Sequence, residues 1–234
     1  MLAGPTAFSV VAGGVRSYNH SMLRRSHLAR LLVIVSVALP FYSELSAQIT
    51  RIGAFNAAGA SDQQKAAAAD GYHVALDQNW SADFWFAKEL KTTSRDSPDS
   101  LYPELANSEF IGIIKLPEGM SDYRGQAIPA GTYTLRYQLI PQDANHLGVS
   151  PHPDFLLALP LASDADPEQS YAYKRLVALS GKTTGSHPAV IALDNAREAE
   201  TLTKDGQTVI FTVAIPSSGG KEKIGIVIKG SASQ

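Results

Sequence analysis

The residue types best suited to bind a metal are concentrated in one segment, residues 145–154. It contains two histidines, His146 and His152, one carboxylate, Asp154, and a proline on each side of His152. Imidazole and carboxylate ligands suit Cu(II) or Zn, and a proline-stiffened loop loses little entropy on ordering. However, the spacing of the two histidines matches no familiar ligand pattern, and a site usually needs three or four ligands. A rigid connector is therefore favoured, and a Cu or Zn site at His146, His152 and Asp154 is the alternative.

Both tryptophans of the chain lie in a short aromatic segment that also contains Phe84 and Phe86. If this segment is a strand, its side chains alternate, so Phe84 and Phe86 share one face and Trp85 lies on the other. Packing in the core is the favoured interpretation. The alternative is a platform formed by Trp80 and Trp85, on which a sugar ring or a peptide would bind.

Motifs for covalent or phosphate chemistry are incomplete. Ser150 lies in the sequence Gly-Val-Ser-Pro, which does not fit the G-x-S-x-G turn of serine hydrolases. Residues 180–184 resemble the end of a phosphate-binding loop, but Leu176 stands where the upstream glycine is required. We therefore assign no catalytic residue, do not favour an enzyme, and expect no cofactor apart from the alternative Cu or Zn ion.

Composition limits the classes of partner and site. The chain of 234 residues contains no cysteine, which excludes disulfides, thiolate metal sites and a lipid-modified cysteine. Residues 48–234 carry 16 Lys plus Arg against 21 Asp plus Glu, a formal charge of −5. Nucleic acid and anionic lipid require a clustered basic surface, so neither is expected as a partner.

The beginning of the chain has the pattern of a cleavable export signal. Arg24, Arg25 and Arg30 precede the apolar stretch 31–42, and small residues at 45–47 form a cleavage site. The apolar stretch is shorter than the roughly 20 residues that span a bilayer, so no transmembrane anchor is expected in the mature chain. We predict a signal peptide over 22–47, an over-extended start over 1–21, and a periplasmic or extracellular location.

The remaining chain divides into a flexible arm or short helix over 48–71 and a single domain over 72–234. The clearest strand is 132–140, in which apolar and polar residues alternate, and residues 128–131 before it form a turn signal. Its partner is expected to be 110–116. The alternation predicts a wet face that carries Thr134, Arg136 and Gln138.

Further short apolar segments predict strands at 73–77, 82–87, 155–159 and 189–193, and a hairpin over 209–228. A helix is expected to begin at Asp166 and Pro167 and to end at Gly181. The predicted fold is mainly β, an antiparallel β-sandwich with one short packed helix, preceded by the signal peptide.

Within residues 128–135, Pro129, Gly131, Tyr133 and Leu135 form a P-x-G-x-Y-x-L pattern. It resembles the hairpin of secreted bacterial β-sandwich modules of the prealbumin-like and immunoglobulin-like kind. The resemblance covers about two strands and implies a binding or accessory role. The favoured hypothesis is a secreted or periplasmic, non-enzymatic binding protein whose partner is a protein, a glycan or an envelope component. The alternatives are an extracytoplasmic metal-binding protein and a structural subunit of a surface assembly.

Overall fold

The computed structural model describes residues 47–77, 80–93, 99–141 and 150–230. The predicted signal peptide and the residues before it therefore lie outside the described part, apart from Ala47. Among the described residues, no helix combines the length and the apolar character needed to cross a membrane.

Twelve strands and two α-helices make up the described part, together with a 3-10 turn at Leu161–Ser163. The helices are α1 (Ser61–Ala66) and α2 (Tyr173–Thr184). The strands are β1 (Gln48–Ile52), β2 (Gly71–Asp77), β3 (Trp80–Phe86), β4 (Phe110–Leu116), β5 (Met120–Ser121), β6 (Ala127–Ile128), β7 (Gly131–Leu139), β8 (Asp154–Pro160), β9 (Ala189–Asp194), β10 (Thr201–Asp205), β11 (Thr208–Ser217) and β12 (Gly220–Lys229).

Ten of these strands form one antiparallel sheet in the order β1-β2-β3-β4-β7-β8-β9-β12-β11-β10. The mainly β, antiparallel prediction is confirmed. The two separate sheets of the predicted sandwich are instead one sheet, because β9 and β12 continue the hydrogen bonding between its halves. The sheet is curved so that its two edge strands, β1 and β10, approach each other. At this place Arg51 Nη2 of β1 lies 2.5 Å from Oε1 of Glu200, which immediately precedes β10.

The predicted hairpin partners pair as expected. β4 pairs with β7, from Phe110 opposite Arg136 to Leu116 opposite Gly131, and β11 pairs with β12. The connection from β4 to β7 is longer than a simple turn, because β5 and β6 form a small hairpin within it. β1 and β10 were not predicted, since their sequences QITRI and TLTKD lack a buried apolar face.

The inner face of the curled sheet holds the main apolar core. Phe84 and Phe86 of β3 stack with their ring centroids 5.7 Å apart, and Phe211 of β11 contacts both rings. Tyr137 and Leu135 of β7 are also fully buried in this core. The same face therefore collects apolar residues from strands far apart in the chain.

A second layer covers the outer face of the sheet, with α2 over β8 and β9 and residues 164–171 over β7. Leu176 and Leu179 of α2 pack on Phe155, Leu157 and Val190. This layer makes the predicted wet face of β7 wrong: the exposed fractions of Thr134, Arg136 and Gln138 are 0%, 1% and 2%.

The predicted helix exists, but its bounds were wrong. It begins at Tyr173 rather than Asp166, passes through Gly181, and is capped by Gly185 in the left-handed conformation, with φ of 77°. Residues 166–169 cannot belong to the helix because three of their carbonyl groups accept hydrogen bonds from Arg136.

Candidate ligand cleft

A cavity with a volume of about 760 Å³ lies among the described residues and opens to solvent. One wall is formed by residues 88–92, which follow β3, and the other by residues 167–170, which precede α2. Residues 106–110 and Arg136 form the floor. This volume lies in the range of small-ligand sites. We refer to this cavity as the cleft.

A buried ion pair holds the wall at residues 167–170. Arg136 Nε lies 2.8 Å from Asp164 Oδ2, and Nη2 lies 2.7 Å from Oδ1, so the pair is bidentate. The hydroxyl groups of Thr134 and Tyr171 donate to the same carboxylate, at 2.6 and 3.1 Å. A buried charge is tolerated only when it is paired and hydrogen-bonded, and Asp164 meets both conditions.

Arg136 also ties this wall to the floor of the cleft. Its guanidinium donates to the carbonyl oxygens of Asp166 (2.8 Å), Pro167 (3.1 Å) and Gln169 (2.9 Å) on the wall. It donates to the carbonyl oxygen of Ser108 on the floor at 2.9 Å. One side chain therefore fixes the spacing between the floor and a wall that has no regular secondary structure.

The opposite wall is held by main-chain and hydroxyl contacts. Leu90 N–H donates to Pro216 O at 2.8 Å, and the hydroxyl groups of Thr92 and Ser218 lie 2.7 Å apart. Lys91 N–H donates to Glu109 Oε1 at 2.8 Å. Each wall is thus held by its own contacts with the rest of the fold.

Charged side chains face each other across the mouth of the cleft. Lys91 Nζ forms an ion pair with Glu168, and both side chains are well exposed. The hydrogen bond to Glu168 is the main cause that raises the pKa of Lys91. Burial raises the pKa of Glu109, although the N–H donated by Lys91 opposes this shift. The cleft therefore combines an exposed, easily broken ion pair with a carboxyl group in a drier environment.

Ser108, at the floor, has a strained backbone. Its φ is 71°, which is uncommon for a residue other than glycine, and the residue is buried. Three contacts hold it: its N–H donates to Tyr137 O at 2.8 Å, its carbonyl accepts from Arg136, and its Oγ accepts from Tyr171 N–H at 2.9 Å. Strain of this kind persists where surrounding contacts over-determine the conformation, as at ligand sites.

Asp154 of the predicted metal site is buried at the beginning of β8. Its carboxylate accepts from Tyr137 Oη at 2.6 Å, from Ser100 Oγ at 2.7 Å, and from the N–H groups of Leu101 and Tyr102 at 2.8 and 3.1 Å. It therefore anchors residues 100–102 to the sheet. The hydroxyl of Tyr102 continues this anchor by donating to Asp194 O at 2.6 Å.

His152 lies beside a different carboxylate, with Nε2 3.3 Å from Asp194 Oδ1. His146 lies outside the described residues. Elsewhere, His73 Nδ1 lies 2.6 Å from Asp83 Oδ1. The described residues contain no group of three or more His, Asp or Glu side chains placed to hold a metal. The Cu or Zn site therefore stays a prediction.

The two tryptophans have different environments, and neither lies in the cleft. Trp85 is 7% exposed, packs under Phe55 with ring centroids 5.2 Å apart, and donates Nε1–H to Gly53 O at 2.8 Å. The segment after β1 covers the ring, which agrees with the favoured interpretation of core packing for Trp85; the ligand platform of Trp80 and Trp85 stays a prediction. Trp80 is half-buried and donates to Gly119 O at 3.1 Å.

The residues that build the cleft were missed by sequence reasoning. Arg136 was assigned to a wet face, and Asp164 lies 28 residues further along the chain, so no spacing rule connects the two. A signal did exist for the wall: Asp166-Pro167 marks a turn as readily as a helix start. Lys91 and Glu168 at the mouth, and Glu109 at the floor, have no distinguishing pattern in the sequence.

Comparison of the chain with protein-family models, with curated proteins and with solved structures finds no match in any of the three.

Proposed function

We propose that the chain is an exported, non-enzymatic binding protein that takes a polar ligand in the cleft. The observation that carries the proposal is the cavity of about 760 Å³, whose wall is fixed by a fully hydrogen-bonded buried arginine. A pre-formed site saves the ordering cost that a mobile loop would add to binding. The pattern of an export signal supports a periplasmic or extracellular location.

The chemistry of the lining supports a polar ligand. Hydroxyl and amide side chains at Thr92, Gln169, Ser170 and Ser218 accompany the charged groups, over a floor that includes Phe110. Such groups match the hydrogen-bonding pattern of a glycan or a peptide from the cell envelope. The charges of both signs do not suit a polyanion.

The proposal includes a relationship to the secreted modules that carry the P-x-G-x-Y-x-L hairpin, which mostly bind or assist other molecules; it is limited to that hairpin, because the ten main strands here form one sheet. The contact of Tyr133 with Pro129 supports it: the Tyr133 hydroxyl donates to Pro129 O, four residues upstream, at 2.8 Å. A tyrosine that hydrogen-bonds to backbone a few residues upstream is a feature of immunoglobulin-like sandwiches. An added Cβ at Gly131 would lie 2.6 Å from the Tyr133 hydroxyl, which accounts for the glycine of the pattern.

The test uses a glycan array and solubilised peptidoglycan fragments as probes of the purified protein. Ser170→Trp places a bulky ring in the cleft, and Ala162→Trp places the same ring at an exposed position outside it. We expect one probe class to bind the unmodified protein and Ala162→Trp equally, and Ser170→Trp at least about tenfold more weakly. Binding that survives Ser170→Trp unchanged would contradict the cleft as the site.

A further inference from the structure

A second cavity lies where the two edges of the curled sheet adjoin, with a volume of about 240 Å³. Arg51, Tyr72 and Glu200 line one part of it, and residues 213–216 of β11 line another. The hydrogen bond from Leu90 N–H to Pro216 O lies between this cavity and the cleft. We refer to it as the seam cavity.

The seam cavity exists because β11 is longer than its neighbour β10. β10 pairs with β11 only from Thr208 to Thr212, whereas the pairing with β12 continues to Ser217. On the side of β11 that faces away from β12, Thr212 O accepts from Glu200 N–H and Pro216 O accepts from Leu90 N–H, each at 2.8 Å. The stretch between these two bonds borders the cavity.

Ala214 occupies the centre of that stretch. The peptide groups of successive strand residues point to opposite sides, so Ala214 directs its N–H and C=O to the same side as Thr212 and Pro216. No strand pairs with Ala214 on this side within the described residues. Ala214 also lines the cavity and is half-buried. The sheet therefore presents one donor and one acceptor to the seam cavity at a fixed spacing.

Unpaired main-chain groups at a sheet edge are a template for another strand. Thr212 and Pro216 are separated by about 13 Å of extended chain, which accommodates about three residues of an added segment. Asp70 and Lys221 also line the cavity and enter no ion pair with described residues. The charges of Asp70 and Lys221 can favour oppositely charged side chains on the added segment, next to its peptide group that pairs with Ala214.

We propose that the edge of β11 at Ala214 binds a short extended peptide segment of a partner protein by strand addition. The proposal does not depend on the cleft as a ligand site, because Ala214, Asp70 and Lys221 line the seam cavity and not the cleft. The Arg51–Glu200 pair at one end and the Leu90–Pro216 hydrogen bond at the other limit the length of the segment. The small volume restricts the ligand to a single strand.

The experiment titrates ¹⁵N-labelled full-length protein with a mixture of acetylated, amidated tripeptides in which every position carries all residue types. The matched probe is the same mixture with its central amide nitrogen methylated, which removes the donor but keeps the side chains. We expect chemical-shift changes at the amide groups of residues 213–215 and 69–72 with the first mixture, and their loss with the second. Absence of these changes at millimolar peptide, or equal changes with both mixtures, would overturn the proposal.

Two substitutions at Ala214 give a second readout. Ala214→Pro removes the N–H that faces the seam cavity, and Ala214→Ser retains it. We expect Ala214→Ser to keep the shift changes and Ala214→Pro to lose them, with circular dichroism spectra that match the parent protein. Retained binding in Ala214→Pro would contradict the role of this donor. If Ala214→Pro does not fold, the methylated tripeptides still decide the matter.

Discussion

Arg136 and Asp164 are joined by two short hydrogen bonds, and their side chains are 1% and 0% exposed. This pair connects β7, the strand most clearly marked in the sequence, to an irregular segment that forms one wall of the cleft. Its burial is tolerated because Thr134, Tyr171 and several carbonyl groups complete the hydrogen bonding. The described cleft thus depends on a buried charge rather than on apolar packing.

Replacing Asp164 with Ala is expected to lower the free energy of unfolding by about 3–5 kcal/mol, because the buried guanidinium of Arg136 loses its counter-charge. The matched control is Glu168→Ala, which breaks an ion pair with Lys91 whose side chains are both well exposed. That change should cost no more than about 1 kcal/mol. Urea denaturation measures both, and equal losses would show that Asp164 does not have the special role assigned to it.

The Tyr133–Pro129 contact predicts a smaller, local effect. Tyr133→Phe removes one hydrogen bond of 2.8 Å and should cost about 1 kcal/mol. Gly131→Ala should cost about 1–3 kcal/mol, because the added methyl group would lie 2.6 Å from the tyrosine hydroxyl. Gly219→Ala is the control, since its Cβ would meet no atom closer than 4.0 Å. Thermal melts measure both variants. A melting temperature of Gly219→Ala equal to or below that of Gly131→Ala would refute the explanation given for Gly131.

The pKa of Glu109 predicts a pH dependence of stability. Burial raises this pKa above its ordinary value of 4.5, so folding favours the protonated carboxyl group. The resulting stability is present below the unfolded pKa and is lost as the pH rises through the folded pKa. Glu109→Gln removes this titration but keeps an oxygen for Lys91 N–H. We expect the unfolding free energy of the variant, relative to the parent, to increase from pH 4 to pH 7. A pH-independent difference between the two proteins would rule out the assigned shift.

The metal hypothesis predicts a direct chemical signature. If His146, His152 and Asp154 bind Cu or Zn, protein purified without a histidine tag should contain one equivalent, and His152→Ala should lose it. Because the Asp154 carboxylate already accepts four hydrogen bonds, we expect no such equivalent and no change in melting temperature on adding either ion. Elemental analysis and thermal melts with and without the metal test this expectation.

The sequence by itself determined the mainly β class, the pairing of β4 with β7, and the C-terminal hairpin of β11 and β12. These features follow from local alternation of apolar residues and from nearby turn residues, so short windows of sequence contain them. The existence of α2 was also predictable from its apolar spacing. Its start was not predictable, because the carbonyl groups of residues 166–169 accept hydrogen bonds from Arg136, about 30 residues upstream, and do not form the first helical turn.

Only the tertiary structure decided which polar residues are buried and which residues distant in sequence contact each other. Arg136 has the pattern of a wet face but is buried, because the segment that precedes α2 covers this part of β7. Trp85 is buried because residues after β1 cover it, and β1 itself depends on pairing with β2. The cleft and the seam cavity arise from contacts between residues distant in sequence, and a single sequence has no local pattern that records such contacts.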